Sequence, residues 1–369
     1  MIFVHIMGAG SMYVKHYYQL ISEHFNCGED SHYFVSRQKN HPNFRIDCLS
    51  RCEIVSSLSL DLLRLLKDCD FIIVHGMNNE KVLAFFLVQP WLLRKTNWVI
   101  WGGDIYFPNG APVSFRERIV ARCRSEVYSR IPFATRLALK DYDYARTNYG
   151  LVAKCFEATY PVAASDKGTL ATSRLKANAR KGNRVVIQIG NSATKTNQHF
   201  EVLDAISRFK DRDIEIFMPL NYGAADYKEY ADRVILYARK IFGDKVVALT
   251  ERITGEEYLE LLARVDVGIF NNNRQQAMGN ISQLVLCGSK IYIRHDTTMW
   301  SHFRSLGCSF DSCEKLSSQP WEEFLYYDEA IKGKNIAVVS SRHDVKEKRR
   351  QWGLIFEAMK SDALSRSCD

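Results

Sequence analysis

The stretch "VVIQIGNSATKTNQHF" at 185–200 joins an apolar run to a polar turn and then to a helix-like segment. Gly190 ends the run, and Asn191 and Ser192 offer side-chain donors beside their backbone N–H groups. Such a turn suits an anion, because a helix N-terminus presents unpaired N–H groups and a positive dipole end. Two familiar anion chemistries fail on spacing. Lys195-Thr196 resemble the tail of an NTPase phosphate loop, but Thr194 stands where that loop needs its second glycine. A dinucleotide fingerprint needs three spaced glycines, and this turn has only Gly190. A second source of charge is Arg274, after the run "DVGIF" and the loop Asn271–Asn273. An arginine so placed can stabilise charge that develops on phosphate. Asp104, behind Gly102-Gly103, reads as the most exposed carboxylate at the strand ends of the first half. It can serve as a general base, cap the following segment or hold a hydroxyl. His75 and His5 are weaker bases, since a strand histidine more often makes a structural hydrogen bond. D-x-D triplets occur at Asp68–Asp70, Asp141–Asp143 and Asp211–Asp213, none where a strand opens onto a cleft. The chemistry is therefore expected to need no metal and no cofactor.

These residues need a scaffold. The 369 residues, 46% hydrophobic and 25% charged, describe a globular chain with room for about two or three domains. Ten scattered cysteines form no CxxC pair and predict reduced thiols. The N-terminus "MIFVHIMGAGS" lacks a basic n-region and predicts no export signal. The greasiest segment, "VLAFFLVQPWLL" at 82–93, is too short to span a bilayer.

Short apolar runs alternate with helix-length segments, which predicts an α/β fold with parallel sheets. The clearest strands of the first half are "IFVHIM", "DFIIVH", "NWVIW" and "IPFAT". Those of the second are "VVIQI", "IEIFMPL", "VVALT", "DVGIF" and "KIYIRH". Residues 164–183 are small, polar and basic and read as a linker between domains at 1–163 and 184–342; 343–369 reads as a helix and tail. Leu203, Ile206 and Phe209 set the period of the helix after Gly190, with Thr196 or Asn197 as its N-cap. Ligands of open parallel sheets lie beyond the carboxyl ends of the strands. One rim then carries Gly8 to Ser11, His75-Gly76, Trp101 to Asp104 and Thr135-Arg136; the other carries Gly190 to Ser192, Pro219 to Tyr222 and Asn271 to Gln276. Two Rossmann-like domains with facing rims make the GT-B arrangement of nucleotide-sugar glycosyltransferases.

The order and separation of "WGGDIY", "IGNSATKTNQH", "MPLNY" and "RQQAMG", with weaker support from "FATR" and Tyr160-Pro161, resemble glycosyltransferase family 56. Its members are Fuc4NAc transferases of enterobacterial common antigen assembly. The resemblance implies a TDP-sugar donor and an undecaprenyl-diphosphate-linked acceptor. It puts Arg274, Gln275, Gln276 and Gly279 on the donor site, which Gly190, Asn191, Ser192, Asn197 and Tyr222 join by their places in the turn after Gly190 and on the second rim. Gly8, Ser11, His75, Gly76 and Arg136 fall to the acceptor, and Asp104 is the candidate catalytic base. The alternative is a GT-B transferase using another nucleotide sugar in O-antigen or capsule synthesis. A non-catalytic nucleotide- or carbohydrate-binding protein is the third reading.

The net charge of +8 is modest, but "SFRERIVARCRSEVYSR" concentrates Arg116, Arg118, Arg122, Arg124 and Arg130. Phe115, Ile119, Cys123 and Val127 recur every four residues and predict an amphipathic basic helix. It is either a solvated face or a docking surface for anionic lipid on the cytoplasmic side of the inner membrane. No basic run interleaved with aromatics points to nucleic acid.

Overall fold

The computed structural model describes residues 1–7, 14–25, 29–36, 60–77, 80–106, 114–161, 182, 184–223 and 226–366. Gly8, Ser11 and nearly all of the linker read at 164–183 lie outside them. The chain divides into two compact units: Met1–Val162 with His343–Asp369, and Ala163–Arg342.

The first unit holds a six-stranded parallel sheet in the order β2-β1-β3-β4-β5-β6. Its strands are β1 (Ile2–Met7), β2 (Ser31–Ser36), β3 (Phe71–His75), β4 (Thr96–Ile100), β5 (Phe133–Arg136) and β6 (Lys154–Glu157). The helices are α1 (Val14–His24), α2 (Leu60–Asp68), α3 (Glu80–Val88), α4 (Gly102–Ile105), α5 (Phe115–Tyr128) and α6 (Asp141–Tyr149). β3 and β4 are buried along their whole length, as strands covered on both faces must be. The second unit repeats the design in the order β12-β11-β10-β7-β8-β9. Here the strands are β7 (Val185–Ile189), β8 (Ile214–Pro219), β9 (Val246–Leu249), β10 (Val267–Phe270), β11 (Lys290–Ile293) and β12 (Asp311–Ser312). Its helices are α7 (His199–Ile206), α8 (Tyr227–Phe242), α9 (Gly255–Ala263), α10 (Met278–Leu286), α11 (Thr298–Ser305), α12 (Trp321–Leu325) and α13 (Glu329–Arg342). The strand order reverses between β1 and β3 in one unit and between β7 and β10 in the other. Those are the points where open sheets form a ligand crevice.

The last helix, α14 (Val345–Arg366), belongs to the first unit and is not a separate tail. Trp352, Ile355, Phe356 and Met359 are buried in one core with Phe3, Tyr17 and Phe34. Trp352 Nε1 donates to the Thr159 carbonyl at 3.1 Å, and Gln351 Oε1 accepts from the Thr159 N–H at 3.1 Å.

Helix α5 forms where expected, from a capping box of Ser114 and Glu117. Its buried face differs from the four-residue stripe. Arg124, Val127 and Tyr128 turn inward, whereas Phe115 is 79% exposed and Ile119 48%. Arg124 is thus no part of a basic surface. Arg116 reaches Glu80 at 2.9 Å, and Arg130 pairs with Glu126.

Candidate functional site

In the second unit the turn after β7 and the loop after β10 are tied into one polar structure. Gly190 has φ +63°, a left-handed conformation that glycine adopts without strain. Asn197, fully buried, is the hub. Its Oδ1 accepts from the Asn191 N–H at 3.0 Å and from Asn272 Nδ2 at 2.9 Å. Its Nδ2 donates to the Ser192 carbonyl at 3.0 Å and to Thr194 Oγ1 at 2.7 Å. Gln276 closes the arrangement from the other loop. Its Nε2 donates to Ser192 Oγ at 2.9 Å and Thr194 Oγ1 at 3.1 Å, while its Oε1 accepts from Thr196 Oγ1 at 2.7 Å. Asn197, Ser192 and Gln276, all read as donor ligands, therefore spend hydrogen-bonding capacity on one another and shape the crevice. Asn197 is also not the helix cap. That place belongs to Gln198, at φ +54°, and it makes no side-chain cap bond.

The two helices leaving the switch point share this feature. Gln198 before α7 and Ala277 before α10 are the two non-glycine residues with positive φ among the described residues. Both sit at N-caps without a side-chain cap bond, in contrast to Thr254 before α9 and Thr297 before α11, which do cap. Strain of this kind, of order 1–3 kcal/mol each, gathers at ligand-binding positions. An uncapped first turn leaves N–H groups that no intrahelical carbonyl can satisfy. Gly279 lies in that first turn of α10, and Gln275, buried, precedes it.

Around the crevice, buried polar atoms lack partners: Asn191 Oδ1, Asn272 Oδ1 and His199 Nε2. Burial pulls His199 down to about 3, so its imidazole is neutral. Asn191 Nδ2 donates to Tyr222 Oη at 2.7 Å. Burial raises the Tyr222 hydroxyl above its ordinary pKa, opposed by the Asn191 bond and by the charge of Arg274. Arg274 is half-buried, and its Nη1 donates to the Gln275 carbonyl at 3.3 Å. Tyr258 donates to Asn280 Oδ1 beside this cluster. The sequence reading placed Asn272 on this rim without a role and missed His199, Tyr258 and Asn280. Their signal was only a polar residue after a strand or in a first helical turn.

The first unit presents a different picture. His75 is buried; its Nδ1 meets Tyr160 Oη at 2.5 Å and its Nε2 meets His5 Nδ1 at 3.3 Å. His5 Nε2 meets His32 Nδ1 at 3.0 Å. Burial keeps these imidazoles neutral, with His75 pulled down to about 3 and His32 to about 4. His75 is thus a member of a buried chain beneath the rim, not a group that faces an acceptor. Gly76, at φ +78°, lies against the Trp101 indole, where a Cβ would stand 3.2 Å from the ring. Arg136 pairs with Glu157 at 3.1 Å. Asp104 contradicts its reading as an exposed carboxylate. It is fully buried, and its Oδ2 accepts from the Met77 N–H at 2.9 Å and from Trp98 Nε1 at 2.8 Å.

Two of the D-x-D triplets, Asp68–Asp70 and Asp211–Asp213, sit ahead of strands, whereas Asp141–Asp143 opens α6, the helix that follows β5. Asp70 Oδ2 accepts from the Ile2 N–H at 2.7 Å, Asp141 is buried at the start of α6, and Asp213 holds Arg184 at 3.0 Å ahead of β8.

The chain resembles solved glycosyltransferases along its length. It covers 97% of itself and 98% of a glycosyltransferase from Rickettsia africae, with TM-score 0.68 and 14% identity. With Anabaena Alr3699/HepE, solved in complex with UDP and glucose, the TM-score is 0.70 at 11% identity, over 97% of this chain and 100% of that one. WaaG, a glycosyltransferase involved in lipopolysaccharide biosynthesis, matches with TM-score 0.62 at 9% identity, over 98% of each chain. Two parallel α/β units and these neighbours establish the GT-B fold. Residues 15–319 match the family described as 4-alpha-L-fucosyltransferase glycosyl transferase group 56. The chain belongs to this family and is a glycosyltransferase.

Proposed function

We propose that this protein moves a deoxyamino sugar, Fuc4NAc or a close relative, from a TDP-sugar to an oligosaccharide on undecaprenyl diphosphate, in bacterial surface polysaccharide assembly. The observation that carries the donor half is the β7/β10 switch point. There, two uncapped helix N-termini, held open by left-handed Gln198 and Ala277, stand with Arg274 around buried polar atoms that lack partners. A nucleoside diphosphate supplies the negative charge that such termini favour. Arg274 and the first-turn N–H groups would stabilise the diphosphate as the anomeric C–O bond breaks. Family membership and the solved HepE complex with UDP and glucose support a nucleotide sugar as the donor.

The experiment is a donor panel. Nucleotide release is followed with TDP-, UDP- and GDP-sugars in the presence of a polyprenyl-linked acceptor. Preference for a TDP-deoxyamino sugar is expected; preference for another nucleotide sugar would move the protein to O-antigen or capsule synthesis.

A polyprenyl-linked acceptor requires the enzyme to visit the cytoplasmic face of the inner membrane. No helix among the described residues is long and apolar enough to cross it. The support for peripheral docking is α5, where exposed Phe115 and Ile119 accompany exposed Arg116, Arg118 and Arg122. Three arginines near anionic lipid contribute roughly 3 kcal/mol, a weak and salt-sensitive attachment. Co-sedimentation with phosphatidylglycerol vesicles at low salt is expected, with release at high salt. Replacing the three arginines with Gln should weaken it. Equal binding to phosphatidylcholine vesicles would reduce α5 to a solvated face.

A further inference from the structure

Beyond the first unit's rim lies a turn that is fixed from beneath. α4 has only four residues, and three tyrosines fasten it. Tyr128 Oη donates to the Asp104 carbonyl at 3.2 Å, and Tyr149 Oη donates to the Ile105 carbonyl at 2.8 Å. Tyr106, the residue after the helix, donates from Oη to Asp141 Oδ1 at 2.9 Å. The Asp104 side chain completes the fastening. One oxygen, Oδ2, receives both the Met77 N–H and Trp98 Nε1, while Oδ1 has no partner. Met77 lies two residues beyond β3, and Asp104 lies four beyond β4. A single carboxylate oxygen therefore joins the carboxyl ends of two neighbouring strands, beside the β1/β3 switch point. A general base must put an oxygen within hydrogen-bonding reach of the substrate hydroxyl. A carboxylate with no exposed surface does not do so.

We infer that Asp104 is a positioning residue, a strut that sets the His75–Met77 turn against the Trp101–Gly103 turn so that together they present a fixed surface to the acceptor sugar. This rests on reading the first unit's rim as the acceptor side. Because Oδ2 only accepts, the strut does not depend on charge: a protonated carboxyl or an asparagine can accept the same two bonds. Burial pushes Asp104 up to about 6, against the bonds from Met77 and Trp98. Burial likewise pushes Asp141 up to about 7, with the charge of Asp104 adding to it. The other titratable or charged groups of this cluster are Tyr106, Tyr128 and Tyr149, with Arg124 acting on the last two.

Steady-state kinetics of Asp104→Asn and Asp104→Ala test it, with both donor and acceptor varied across about pH 5–9. The strut predicts that Asp104→Asn stays within roughly threefold of wild type and that its pH profile superimposes on the wild-type one. Asp104→Ala should raise the acceptor KM by roughly tenfold or more, since it leaves two buried donors unpaired, with the donor KM unchanged. A loss of roughly a hundredfold or more in Asp104→Asn, with disappearance of a wild-type acid limb near pH 6, would overturn the strut and restore the base. A rise in donor KM alone in Asp104→Ala would instead leave the strut standing and refute the acceptor-side reading of this rim. If the alanine variant does not fold, the asparagine variant and its pH profile decide the matter alone.

Discussion

Gly190→Ala should destabilise the second unit by about 3 kcal/mol and abolish donor binding. Left-handed φ costs a non-glycine residue roughly 1–2 kcal/mol. The new Cβ would also lie 2.6 Å from Asn197 Oδ1 and 2.9 Å from His199 Nε2, closer than real Cβ contacts allow. Relief means moving Asn197, and that releases its bond to Asn191 within the turn and its bond to Asn272, which joins the two loops. Each such buried bond contributes about 1 kcal/mol. For a unit of this size the melting temperature should fall by roughly 10 °C. Thermal melts and nucleotide titration measure both effects. A variant that melts within about 2 °C of wild type would mean that the loop adapts and that the glycine is not required.

Acid should destabilise the protein well above the ordinary carboxylate range. His5, His32, His75 and His199 all have pKa values lowered from 6.5, chiefly by burial, with His32 at about 4 and His75 and His199 at about 3. Between the folded and unfolded pKa such a histidine is neutral when folded and charged when unfolded. Its contribution is full above about pH 6.5 and is lost as pH falls. Asp104 and Asp141 act in the opposite sense. Raised to about 6 and about 7, they stay protonated when folded and ionise on unfolding, so their stabilising share is lost as pH rises. Near pH 5 unfolding takes up about four protons on histidines and releases about two from these carboxyls. The net slope is about 3 kcal/mol per pH unit, with stability increasing toward neutrality. Urea midpoints at about pH 5, 6 and 7 check the sign. A midpoint that holds steady or rises on acidification would show that these histidines are not buried as neutral groups.

Much of the fold was legible because central strands of parallel sheets are continuous apolar runs. "DFIIVH" and "VVIQI" need no partner to be recognised. β2, "SHYFVS", was missed since polar residues at both ends leave only Tyr33-Phe34-Val35 as an apolar run at a sheet edge, and β6, "KCFE", since it is short and half-exposed. The site was legible as a place more than as a set of roles. Gly190 and Arg274 stand where strand ends predicted them. Asn197 turned out to be a hub because its partner Asn272, like Gln276 that bonds Ser192, Thr194 and Thr196 beside it, comes from a loop distant in sequence. Asp104 was misjudged for the same reason. Two glycines suggested an open turn, but the direction of its carboxylate is decided by Trp98 and Met77, which converge only in the folded sheet. Arg124 is a third case. Its position on α5 looked polar by neighbourhood, yet α5 buries the i, i+3, i+4 set of Arg124, Val127 and Tyr128 and exposes the phenylalanine.

A nucleotide-sugar donor held at the β7/β10 crevice by Arg274 and two open helix termini should be bound and used less well once Arg274 is removed. Sugar transfer from TDP-Fuc4NAc to an undecaprenyl-diphosphate-linked oligosaccharide, measured for wild type and Arg274→Ala, tests this. Wild type should transfer the sugar, and the variant should lose roughly ten- to a hundredfold in kcat/KM for the donor, the worth of one charge-assisted phosphate contact, with an unchanged melting temperature. Undiminished transfer by Arg274→Ala, or no transfer by wild type from any nucleotide sugar, would contradict it.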